Sequence, residues 1–259
     1  MRNHYIQKEF IKNFCGNNGI LIYNIIEDKF LPKLNKATNI AVENDLYHFD
    51  NIDYPDDQIE KDLKVIEDSG LDAIRMIAET ERLPSDEDLP KLIAYLYYQS
   101  LRTPTQMGMQ QEEIRKLNKI CNTTAFNDLP IYRIYNEKSS NKFISFLLNE
   151  YDIYLLKQEE QIFFITDCFC SALLNKLEQI IPITSNLALY LIPKNYKTIF
   201  NLSLQKNVAN LISFKEYVAL MAFSAFDYRQ FAFASYTDLN LKLVPAIFKL
   251  LHKFGKSSI

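Results

Sequence analysis

The chain has 259 residues, of which 48% are hydrophobic and 24% charged, with a formal net charge of −3. That balance is ordinary for a soluble globular protein with a real core. It speaks against non-specific binding to nucleic acid, which needs a dense cationic footprint, and leaves only a local basic patch for such a partner.

The N-terminus opens Met1-Arg2-Asn3-His4-Tyr5, with Phe10 and Phe14 following. Termini usually fray and are polar, so three aromatics in eleven residues predict a segment docked on the body that holds His4 in a defined place. Ile20–Leu31 reads as a β-hairpin within residues 20–34, with Gly16-Asn17-Asn18-Gly19 as the turn before it. Residues 37–54 are polar and irregular and carry Ala41-Val42-Glu43-Asn44-Asp45 and Tyr47-His48-Phe49.

Four helices are predicted next. Ile59, Leu63, Ile66, Ile74 and Ile77 fall on one face of a helix over about 57–81, which Gly70 weakens. Ser85-Asp86-Glu87-Asp88 opens a second, with an acidic first turn, that ends near Arg102-Thr103-Pro104. A third covers about 105–121 and a fourth about 138–149.

After residue 150 the period changes. Tyr151–Leu156 and Ile162–Thr166 look like strands around a Gln/Glu turn, and Ile180–Thr184 and Leu187–Ile192 like two more. Helix returns over about 203–228, and a last helix near 240–253 carries Pro245. The fold class is therefore α+β: mainly helical, with a small N-terminal β-hairpin and a short central sheet. Residues 1–259 are read as one domain, made of a β/loop element (1–54), a helical block (55–150), and a short sheet followed by helices (151–259). No G-x-G-x-x-G or P-loop occurs.

Four cysteines, at 15, 121, 168 and 170, read as ordinary thiols of a reducing cytosol. The C-x-C pair lacks the second pair or the histidines of a zinc site. No run of eighteen apolar residues is present, so no membrane span is expected, and the N-terminus is unlike a signal peptide. A cytoplasmic protein is the expectation. Ser185 stands without a nucleophile elbow. The aromatic series Phe223, Phe226, Tyr228, Phe231, Phe233 and Tyr236 reads as core rather than a base-stacking platform.

Several short motifs in order resemble a widespread, mainly bacterial family that carries only a domain-of-unknown-function label. His4-Tyr5-Ile6 with Phe10 and Phe14 is similar to its opening His-Tyr-Val-Pro-x-x-Tyr-Leu-x-x-Phe, with Gln7 in place of proline. Ile22-Tyr23 is similar to its early strand ending in Tyr-Asp. Ala41-x-Glu43-x-Asp45-x-Tyr47 resembles its Ala-x-Glu-x-x-Phe-Tyr, and Arg102-Thr103-Pro104 its Arg-Thr-Pro. Phe164-Ile165-Thr166-Asp167 resembles the start of Phe-Ile-Thr-Ser-Asp-Asn-Pro, without the closing Asn-Pro. Ile181-Pro182-Ile183-Thr184-Ser185 is similar to its Pro-Leu-Ser-Pro. The resemblance implies a fold and a set of positions, not a reaction.

The polar members of these motifs are His4, Glu43, Asp45 and Asp167, with Arg102 beside them. A histidine and two or three carboxylates can hold Mg²⁺ or Mn²⁺ and activate water for phosphodiester hydrolysis, as in a nuclease-like effector. Without metal, a carboxylate could orient His4 as a general base. In that reading His4, Glu43 and Asp167 are catalytic, and Asp45 and Arg102 bind. The alternative is a non-catalytic protein-interaction or sensor module in which the same residues cap, turn and pair. The first needs them to converge in an open site; the second needs them buried and satisfied.

Overall fold

The computed structural model describes residues 2–16, 19–44, 56–122, 137–169, 178–194, 202–224 and 230–255. Strand β1 (Arg2–His4) leads into a single helical turn, α1 (Lys8–Ile11), and a 3₁₀ turn over Lys12–Phe14. The predicted docking is what the fold shows: Tyr5, Ile6, Phe10, Ile11 and Phe14 are all buried. The Phe10 ring lies 5.5 Å from Phe14, 6.1 Å from Tyr95 and 4.5 Å from Phe169, so three parts of the chain meet on it.

Strands β2 (Ile20–Asn24) and β3 (Lys29–Phe30) form a hairpin. Its turn is set by Asn24, whose side-chain oxygen accepts from the Ile26 and Glu27 amides at 3.1 and 3.2 Å. The return strand is two residues long, shorter than the sequence suggests. Strand β4 (Val42–Asn44) pairs with β1.

Helix α2 (Asp56–Thr80) packs along α3 (Leu89–Leu101). Residues 86–88 form a turn, and α3 proper starts at Leu89 with Pro90 in its first turn, where the missing N–H costs nothing. After Leu101 the chain breaks at Thr103, which is extended because Pro104 follows it. The Thr103 hydroxyl then accepts from the Gln106 amide at 3.4 Å and caps α4 (Pro104–Cys121). Helix α5 (Glu137–Glu150) follows.

The second half corrects the predicted pairing. Strands β5 (Tyr151–Lys157) and β6 (Phe164–Thr166) do not form a hairpin; they enter different sheets. β5 lies between β8 (Leu187–Pro193), antiparallel, and β9 (Ala209–Leu211), parallel, and β7 (Gln179–Pro182) adds to β8. The other sheet has the order β3-β2-β10-β6, with β10 (Phe231–Ser235) in its middle. The N-terminal hairpin is thus part of a four-stranded sheet and not a separate element.

The helix expected over 203–228 is also corrected. Asn210 ties the chain into a loop: its side chain contacts the Gln205 amide and the Gln205, Val208 and Leu155 carbonyls. Asn207 adopts a positive φ of 65°, which no helix tolerates. Helix α6 (Phe214–Ser224) starts only after Ser213, which forms a reciprocal cap with Glu216. Helix α7 (Asp238–Gly255) is capped by Thr237, whose hydroxyl accepts from the Asn240 amide at 3.0 Å, and runs on with Pro245 inside it. The chain is α+β. Among the described residues no helix is long and apolar enough to cross a membrane.

Candidate functional site

Among the described side chains, the inward stripe of α2 carries one carboxylate among its apolar residues. Leu63, Glu67, Gly70 and Ile74 recur at helical spacing and all face inward. On α3, Gln99 interrupts the stripe of Leu92, Tyr95 and Leu96 in the same way. Arg102 follows at the end of α3. These three side chains meet: Arg102 is 1% exposed, Gln99 1% and Glu67 8%.

One Arg102 nitrogen, Nη1, is paired with the Glu67 carboxylate. The other, Nη2, donates to the His4 carbonyl at 2.8 Å. Glu67 also accepts from Gln7 Nε2 at 3.1 Å and, at a longer 3.4 Å, from Gln99 Nε2. The Gln99 oxygen in turn accepts from the Gln7 amide at 3.3 Å. A charge taken out of water is costly unless it is paired and hydrogen-bonded, and this network pairs Arg102 with Glu67 and adds the His4 carbonyl, Gln7 and Gln99 as hydrogen-bond partners. A proline at position 7 would have no N–H to give Gln99.

At the end of a helix before Thr-Pro, Arg102 is expected to satisfy the last-turn carbonyls, pair with an acidic partner or bind phosphate. It pairs with Glu67, and the carbonyl it reaches is that of His4 on β1 rather than one of its own last turn. Glu67, Gln99 and Gln7 were missed as site residues. For Glu67 and Gln99 the signal in the sequence is a polar side chain on a core-facing helical stripe; Gln7, at the N-cap of α1, carries no such signal.

His4 stands half-buried on β1, paired across the ladder with Val42, while Asn3 pairs with Glu43. Alternation therefore assigns His4 and Val42 to one face of the ribbon, and Asn3 and Glu43 to the other. Glu43 is exposed. Asp45, the next predicted carboxylate, lies outside the described residues.

Asp167 closes β6 and is 3% exposed. Its carboxylate accepts from the Gln230 amide at 2.8 Å and the Phe231 amide at 3.1 Å, and its own amide donates to the Phe231 carbonyl at 3.0 Å. Charge-assisted bonds to main-chain N–H groups fix where β10 begins. The turn that follows carries Phe169 onto Phe10. The fold thus gathers Arg102 with the His4 backbone, sets Glu43 one step along the ladder from His4, and joins Asp167 to β10. Among the described residues, no group of three or more His, Cys, Asp and Glu is arranged to hold a metal ion.

No curated protein and no solved structure matches the chain. The profile of a family described as "Protein of unknown function (DUF4238)" matches residues 2–213, well over half of the length. The matched stretch contains β1 through β9 and the whole Arg102 network, and it stops just before α6. The chain belongs to this DUF4238 family of proteins of unknown function.

Proposed function

We propose that the chain works as a non-catalytic interaction or sensor module of the cytoplasm. The observation that carries this reading is the Arg102–Glu67–Gln99–Gln7 network: its charges are buried and spent on one another and on the His4 carbonyl. An arginine that recognises a phosphate needs its guanidinium open to the ligand; here Nη1 and Nη2 already hold protein acceptors. The Asp167 carboxylate is likewise engaged by two main-chain amides. Such groups lock positions and are poor bases or ligands. The thiols Cys15 and Cys121 suit a reducing compartment.

The competing reading is a Mg²⁺- or Mn²⁺-dependent phosphodiester hydrolase using His4, Glu43 and Asp167, with Asp45 and Arg102 in binding roles. What favours it is the accessibility of Glu43 and half-buried His4 at successive positions of the β1–β4 ladder; against it, their side chains lie on opposite faces of the ribbon. One experiment separates the two. Wild type and His4→Ala are melted with and without Mg²⁺ or Mn²⁺ and assayed on bis(p-nitrophenyl) phosphate and a single-stranded oligonucleotide. The module reading expects no turnover and no metal-dependent rise in melting temperature in either protein. Metal-dependent turnover that His4→Ala abolishes at unchanged melting temperature overturns it.

A further inference from the structure

We draw no further inference here: the strongest candidate, the exposed apolar corner that Leu211 and Phe214 make where edge strand β9 runs into α6, carries nothing because nothing in the structure shows what covers it.

Discussion

Gly70 of α2 faces the Tyr95 side chain of α3 so closely that a Cβ on Gly70 would stand less than 3.0 Å from Tyr95 Cβ, Cγ and Cδ2. The Tyr95 ring is fully buried against Phe10 and cannot swing aside. Gly70 therefore costs helix propensity, yet it sets how closely the two helices approach. Gly70→Ala should destabilise by about 3 kcal/mol through overpacking, although alanine is the better helix former. Urea denaturation measures this. A stabilised variant would mean that helix propensity outweighs the contact.

The Arg102–Glu67 pair gives a second test. Arg102→Met leaves the Glu67 carboxylate buried without its cation, and the expected loss is about 3–5 kcal/mol. Adding Glu67→Leu removes the stranded charge, so the double variant should recover a good part of that loss. A double-mutant cycle in chemical denaturation reads the coupling. Additive losses would contradict the pairing.

Asp167 can be probed without assuming a reaction. Asp167→Ala strips the acceptor from two partly buried amides and should cost about 1–3 kcal/mol. Asp167→Asn keeps an acceptor oxygen and should cost less. Amide hydrogen exchange at Gln230 and Phe231 should speed up in the alanine variant. Unchanged exchange at both positions would remove Asp167 from the strand-fixing role.

Tyr23, Tyr190 and Tyr217 set an alkaline limit. Burial raises the pKa of each phenol above the ordinary value. Tyr23 is raised further by its bond to Asp28, and Tyr190 by its bond to Glu178. Below a pH of about 10, tyrosines keep the proton in folded and unfolded chain alike. Above it the unfolded chain releases protons that the folded chain retains, so stability falls as pH rises. Absorbance of tyrosinate should show a fraction of the tyrosines ionising only together with unfolding. Full ionisation of all tyrosines while near-ultraviolet dichroism stays native would refute this.

The family match ends at residue 213, while β10 sits between β2 and β6, both inside the match. A chain ended after Ser213 should therefore fail to fold, whereas the full chain should unfold in one cooperative transition as a single domain. Calorimetry of the full chain and dichroism of the shortened one decide. A native-like melt of the shortened chain would place the missing strand outside the essential fold.

How far the sequence reveals this fold depends on the range of the contacts involved. The long helices are legible because Leu63, Ile74 and Ile77, or Leu92 and Leu96, repeat at helical spacing within a few turns. The docked N-terminus is legible from Phe10 and Phe14. β10 is not, since Phe231-Ala232-Phe233-Ala234-Ser235 earns its strand from β2, which lies some two hundred residues earlier. The loop before α6 is also hidden, because one asparagine side chain, Asn210, overrides an apolar run with local polar bonds. Of the candidate site, His4 and Arg102 are visible as polar types within apolar motifs. Glu67 becomes visible only when α2 and α3 lie side by side.

The position of β10 also bears on how the chain is made. Synthesis runs from the N-terminus, so β2 and β6 leave the ribosome long before the strand that will join them. Until then both keep an open row of amides and carbonyls and an apolar face that includes Leu21, Tyr23 and Phe164. The Ser235 hydroxyl, which donates to the Phe14 carbonyl at 2.9 Å, closes this gap from the far end of the chain. A chain of this topology is therefore exposed to edge-to-edge association until β10 arrives, and a product ended before β10 is expected to aggregate rather than form a smaller working domain.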